Sequence, residues 1–194
     1  MAIARAATDA GAQVEILGRV GEDPAGDAVL LDLASAGIGH VALLRDAGHP
    51  TARAAGADPA DAPFDEPVAD VGSGASATPS GPRLDAADVD LGLRYLPDYR
   101  VIVVADALDD DGLDAASSAA RWANAALIVI LPADSGAPPS LDSSATVLEA
   151  PPAEPEGAFA ALVGRYAAAL DRGTPPDEAF AAASAAVGSE ASPG

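Results

Sequence analysis

Apolar positions along the chain alternate between short continuous runs and helically spaced ones. The clearest case lies between residues 100 and 131. Arg100–Ala105 (RVIVVA), apolar from Val101 on, and Ala126–Leu131 (ALIVIL) hold continuous apolar runs, the mark of strands buried on both faces. Asp109–Ala125 between them reads as a helix. The first 45 residues show the same alternation more weakly. Residues 2 to 10 read as a helix stopped at Gly11, and Gln13–Leu17 as a short strand. Gly18–Gly26 reads as a loop punctuated by Gly and Pro. Asp27–Ser35 reads as a helix closed by Gly37 and Gly39, and Val41–Leu44 as a second strand. Later come a helix over Ala86–Leu96 with Asp85 as its N-cap, a short strand at Thr146–Leu148, and helices over Glu156–Asp171 and Pro176–Val187. Alternating helices and strands of this kind predict an α/β fold with a parallel sheet and helical crossovers.

Two segments break the pattern. Residues 46–83 hold Pro, Gly, Ser, Ala and Asp with almost no aliphatic core formers, so long loops or weak edge strands are expected there. Residues 189–194 are expected to form a flexible tail. Residues 1–188 are therefore read as a single α/β domain, with no internal repeat.

Composition narrows the function classes. The 194 residues carry 10 Lys+Arg against 30 Asp+Glu, a formal net charge of −20, and all ten basic residues are arginine. A charge of that sign with no basic cluster argues against nucleic-acid binding and against docking on an anionic membrane. The chain has no cysteine, so it offers no disulfide, thiolate nucleophile or Cys-ligated zinc. No apolar run reaches the roughly 18 residues needed to span a bilayer, and the N-terminus lacks a signal-peptide core. A cytoplasmic location is the expectation. Alanine accounts for 50 residues, half of all the apolar ones, so the apolar fraction overstates the core. Lysine-free acidity fits either a halophile surface or a GC-rich genome.

One stretch carries a specific resemblance. GRVGEDPAGDAVLLDLASAGIGHVALLRDAGHPT (18–51) resembles the ribokinase (PfkB) family of carbohydrate and nucleoside kinases, which reads G-x-V-G-x-D-x-x-G, then a helix, a strand and a Pro-Thr leading into its lid. Gly18, Val20, Gly21, Asp23 and Gly26 occupy the matching positions, and Pro50-Thr51 matches the start of the lid. Arg83-Leu84 to Asp90 is similar to the family's L-x-x-x-D-V. The stretch 156–188 is similar to its C-terminal G-D-A-F segment. The resemblance implies a three-layer ribokinase-like sheet, shortened at the front and in the middle, with residues 46–83 as a degenerate lid or loop region. Gly18, Gly21, Asp23 and Gly26 would be structural, and His49 and Thr51 would be the residues placed to touch a sugar or nucleoside.

The resemblance also implies a defect. The family's catalytic base is the Asp of G-A-G-D at a helix N-terminus, where backbone N–H groups form an anion hole. On this alignment the Asp position is Gly157, preceded by Pro155 and Glu156. A rival alignment places Thr146–Gly164 on the family's Asn-x-x-Glu magnesium motif, with Glu154 or Glu156 as its Glu and no Asn. Both alignments remove the phosphotransfer machinery. No catalytic residue, metal or cofactor is therefore expected. An active kinase that completed its site by oligomerisation would need ATP and magnesium, and a remnant with no function is the third reading.

The other chemistry-bearing residues have plainer readings. Asp109-Asp110-Asp111 could attract a divalent cation, but acids at a helix N-terminus complement its dipole. His40 and His49, the only histidines, lack partners at metal-ligand spacing. Glu154 and Glu156 fit helix caps better than paired acids for hydrolysis. Trp122, Phe159, Tyr166 and Phe180 are expected in the core. A chain lacking the family's first strand is expected to leave an apolar face bare around Val101–Val104 and Leu127–Leu131, which points to a homo-oligomer.

Overall fold

A computed structural model describes residues 1–52, 81–96, 98–133, 135–136, 138, 141–152 and 157–190. Eleven elements lie among them: α1 (Ala2–Asp9), β1 (Glu15–Gly21), α2 (Pro24–Ser35), β2 (Gly39–Asp46), α3 (Ala86–Tyr95), β3 (Val101–Val104), α4 (Asp110–Ala123), β4 (Ala126–Pro132), β5 (Thr146–Ala150), α5 (Ala158–Asp171) and α6 (Pro176–Glu190). Most of the segment 46–83 and the last four residues of the tail lie outside the described residues. α6 extends to Glu190, two residues into the stretch read as tail.

The strands form two parallel sheets, β1-β2 and β3-β4-β5. β3 and β4 pair from Val101↔Ala126 to Val104↔Val129, and β4 and β5 from Ile128↔Thr146 to Pro132↔Ala150. Side chains alternate across the larger sheet, and both of its faces are apolar. Ile102, Val104, Leu127 and Val129 pack with Val89 of α3 and with Leu113, Ala116 and Ala120 of α4. Val101, Val103, Ile128 and Leu148 pack with Tyr166, Ala167 and Ala169 of α5 and with Ala179 and Ala183 of α6. The smaller sheet sends Ile16 and Leu43 toward Ala4 of α1 and Leu33 of α2. The result is a sheet layer between two helix layers.

The expected bare face is absent. Helices cover both sides of Val101–Val104 and Leu127–Leu131, and Ile128 and Val129 are fully buried. The unpaired long edges of β3 and β5, among the described residues, are backbone features rather than apolar faces.

The stretch read as a loop from Gly18 also differs. β1 runs on through Gly18-Arg19-Val20-Gly21 before the chain turns at Glu22-Asp23. Glycines there reflect close approach rather than a turn: a Cβ on Gly21 would lie 2.7 Å from the His49 carbonyl oxygen and 2.7 Å from the Thr51 nitrogen. α2 begins three residues earlier than expected because Pro24 fits the first helical position and Asp23 caps it.

Of the four aromatics expected in the core, only Tyr166 is fully buried. It meets Phe180 edge to face at 5.6 Å, and Phe180 keeps 40% of its surface exposed. Phe159 is half-buried. Trp122, at the end of α4, is 86% exposed, which corrects its core assignment. Leu113, Ala116 and Ala120 turn one face of α4 to the sheet, and Trp122, two residues past Ala120, lies on the opposite face. No helix among the described residues is long and apolar enough to cross a membrane.

Candidate functional site

In open α/β sheets, ligands bind outside the C-terminal ends of the strands. Two depressions lie there. The smaller, about 200 Å³, sits beyond β1 and β2 and is lined by Glu22, Asp23, Asp46, Gly48, His49 and Pro50. The larger, about 430 Å³, opens beyond β3, β4 and β5 between Val104, Leu113, Val129, Leu131, Pro132 and Pro151.

Asp23 organises the smaller depression. Its Oδ1 accepts a 2.7 Å hydrogen bond from the Gly26 amide, and its Oδ2 a 2.8 Å bond from the Thr51 amide. The Thr51 hydroxyl donates to Oδ1 at 2.7 Å and accepts from the Gly21 amide at 2.9 Å. A carboxylate holding that many donors binds its own proton weakly. The amides of Gly26 and Thr51, then the Thr51 hydroxyl, hold Asp23 down to about 2. A Cβ on Gly26 would collide with the Gly21 carbonyl, so the spacing from Gly21 to Gly26 is a steric demand of this clasp. The single hydroxyl proton of Thr51 is committed to Asp23, which leaves its second lone pair as the only polar capacity it can offer a ligand.

His49 stands at the rim, with its side chain 61% exposed and Nδ1 3.2 Å from Asp46 Oδ2. The Gly48 amide first, and His49 and Arg19 beyond it, hold Asp46 below the usual carboxylate range. Arg19 reaches from β1 to Asp88 of α3 at 2.7 Å and to Asp46 at 3.4 Å. Burial pushes Asp88 up, but the hydrogen bonds from Arg19 and the Asp85 amide outweigh it and leave Asp88 lowered. This ion network ties β1, β2 and α3 beneath the depression. Sequence patterning gave no sign of it, because its members are 42 and 27 residues apart.

The larger cavity has a different chemistry. Asp106 is the only charged residue among its described lining. Beside it α4 opens with Asp109 as N-cap, accepting from the Gly112 amide at 2.8 Å, and with Asp110 and Asp111 in its first turn. The acidic run is thus a capped helix N-terminus. Among the described residues no group of three His, Asp or Glu side chains is placed to hold a metal. His40 Nδ1 lies 3.3 Å from the Ile38 carbonyl oxygen, at the entrance to its own strand.

Gly157 is the N-cap of α5. It has φ +70° and ψ 18°, and no side-chain hydrogen bond caps the helix. Glu154, Pro155 and Glu156 lie outside the described residues.

No protein-family model matches the chain, and no curated protein matches it by sequence. Solved structures do match by fold. The crystal structure of Sa239 aligns with a TM-score of 0.64 at 12% identity, covering 95% of this chain and 79% of its own. The PfkB protein from Polaromonas sp. JS666 gives 0.60 at 14% identity, over 94% and 81%. A putative ribokinase II from E. coli gives 0.59 at 15% identity, over 96% and 79%. The fold is therefore ribokinase-like α/β, covering about four-fifths of each of those chains.

Proposed function

We propose that this chain is a PfkB-type carbohydrate-kinase homologue that holds a sugar or nucleoside without transferring a phosphoryl group to it, and serves as a binding or assembly module. The observation that carries the reading is Gly157 at the N-cap of α5. That is where the sequence resemblance places the base that takes the hydroxyl proton of the acceptor. Glycine can take no proton, and loss of a general base removes about 10² to 10⁴ in rate. The charge around the larger cavity supports the same reading. Three aspartates at the start of α4 and Asp106 on the cavity wall oppose a triphosphate, where an anion site would present free amides and cations.

The test pairs turnover with binding. The purified chain is mixed with ATP, magnesium and ribose, fructose or adenosine, and ADP release is followed. The same acceptors are then screened by thermal shift without ATP. The reading expects no acceptor-dependent ADP and a raised melting temperature with at least one acceptor. Turnover above about 1 per second, the low end for enzymes, would overturn it in favour of a working kinase. Neither turnover nor stabilisation would overturn the binding half. Gly157→Asp is expected to leave turnover absent, because Pro155 and Glu156 still precede the restored acid.

A further inference from the structure

The two sheets share their helix cover but no hydrogen bonds. On one side of the layer, α3 lies on both. Its Gly92 meets Leu17 and its Asp88 meets Arg19 of β1, while its Val89 and Leu93 share an apolar cluster with Ile102 and Val104 of β3. On the other side, Ala4 of α1 packs with Ile16 of β1, and α5 packs on Val101 and Val103 of β3. α1 and α5 meet at Gly164, which closes that layer over both sheets. β1 and β3 nevertheless do not pair. α3 runs back along β1, and β3 runs back along α3 after a short turn, so the two strands point the same way. A helix about 10 Å across covers two strand spacings of about 4.8 Å each. Bridged by α3 in this way, β1 and β3 enclose a slot the width of one strand.

Hydrogen bonds at the strand ends identify the backbone that faces this slot. The Ala126 amide donates to the Arg100 carbonyl, and the Glu22 amide to the Asp46 carbonyl. Successive residues of a strand turn their N–H and C=O groups to opposite edges. Val101 and Val103 of β3, and Leu17 and Arg19 of β1, therefore present theirs to the slot. Burial agrees with this. Val101, Ile102 and Val103 are only half-buried although helices cover both their faces, whereas Leu127, Ile128 and Val129 of the next strand are buried. Two parallel edges that face each other are satisfied together by one extended backbone lying between them.

We infer that the slot between β1 and β3 takes one β-strand of another polypeptide, about five residues long and parallel to both. Its side chains are apolar on both faces, because it lies between two apolar helix layers, as a buried parallel strand does. This chain has no such segment to spare. Every apolar run of four or more residues is already part of a strand or helix, and residues 53–80 hold none longer than two. A second copy has none to give either. Charge selects the flanks of the incoming strand. Glu15 stands at one end of the slot and Glu22, Asp23 and Asp106 at the other, in a chain of net charge −20, so basic flanks are favoured. Both depressions lie beyond the strand ends, so the strand slot stands apart from the ligand reading above.

The full chain is titrated with a labelled synthetic peptide that carries Val-Ile-Val-Val-Ala between two arginines at each end. The control peptide has the same charge, with proline at the second and fourth apolar positions, where it cannot donate to a strand edge. Binding is followed by fluorescence anisotropy at about 0.15 M and about 0.5 M salt, which separates strand pairing from charge attraction alone. Amide hydrogen exchange then locates the peptide. The apolar peptide is expected to bind about tenfold more tightly than the control or better at both salt concentrations. It is expected to slow exchange at Leu17, Arg19, Val101 and Val103 together by about tenfold or more. Equal affinity for the two peptides, or no binding of either, overturns the inference. Protection confined to the outer edge of β2 or β5 overturns it too, since that is strand addition outside the slot. So does slow exchange at all four amides before any peptide is added, which would show the slot closed.

Discussion

Asp23 shows how one side chain converts a turn into a fixed piece of geometry. Its two oxygens are saturated by two amides and one hydroxyl from residues up to 28 positions away, so it caps α2 and pins Thr51 at once. The consequence is a specific acid sensitivity. The folded state holds Asp23 at about 2, against 3.8 for the free group, so the folded chain binds that proton more weakly than the unfolded chain. Stability from this carboxylate is complete above about pH 4 and is lost as pH falls toward 2. Urea midpoints of wild type and Asp23→Ala are therefore expected to differ by a constant amount from pH 7 to about pH 4, then to converge between pH 4 and pH 2. Comparing the two chains removes the contribution of every other carboxylate. A gap of the same size at pH 2.5 as at pH 7 would show that the charge on Asp23 does not carry the clasp.

At the scale of elements, the alanine-rich composition becomes intelligible as a way of packing helices closely. α5 lies against α1 at Gly164, where a Cβ would stand 2.6 Å from the Ala6 Cβ, 2.6 Å from the Ala7 nitrogen and 2.8 Å from the Ile3 carbonyl. Two of those three atoms are backbone and cannot swing aside. Gly164→Ala is therefore expected to destabilise by about 1–3 kcal/mol, as overpacking does. Gly188→Ala serves as the opposite control, because α6 leaves open space there. Alanine at that exposed helical site is expected to be neutral or to stabilise by up to about 1 kcal/mol. Equal losses in the two variants, read from denaturant midpoints, would mean that the α1–α5 crossing is not tight. The order of helices and strands was legible in the sequence because the buried strands are apolar on both faces and Asp85 is a strong helix start, whereas Asp23, the cap of α2, reads as loop from its Gly and Pro neighbours. The covering of both sheet faces was not legible, since it depends on how α5 and α6 fold back across β3–β5. The exposure of Trp122 follows from spacing once Leu113, Ala116 and Ala120 are taken as the buried face of α4, but residue type alone suggests the core. At the candidate site, the spacing from Gly18 to Gly26 and Thr51 was visible in the sequence. The bonds joining Asp23 to Thr51, and Arg19 to Asp88, arise only once the chain has closed on itself.

For the whole molecule, the dominant unbalanced quantity is charge. At least half of the ten arginines pair with aspartates: Arg5 with Asp32, Arg19 with Asp46 and Asp88, Arg45 with Asp27, Arg94 with Asp90 and Arg121 with Asp142. However the pairs are drawn, acids exceed bases by twenty, and the excess repels itself most in the compact state. At about 0.01 M salt that repulsion acts over roughly 30 Å, the width of a domain of this size, and at 1 M over only about 3 Å. The surface ion pairs are weakened by the same screening, but exposed pairs are each worth only about 0–1 kcal/mol. Relief of repulsion is therefore the larger effect, and the melting temperature is expected to rise between about 10 mM and 1 M NaCl, most steeply at the low end. Above 1 M the two origins of the acidity separate. A surface selected for high salt continues to gain from hydrated-ion binding, whereas one that is acidic only through its codon usage levels off once screening is complete. Thermal melts in NaCl carried to several molar distinguish them. A melting temperature that is flat over the whole series would mean that the carboxylates lie too far apart to interact, and that the excess charge has no bearing on the stability of the fold.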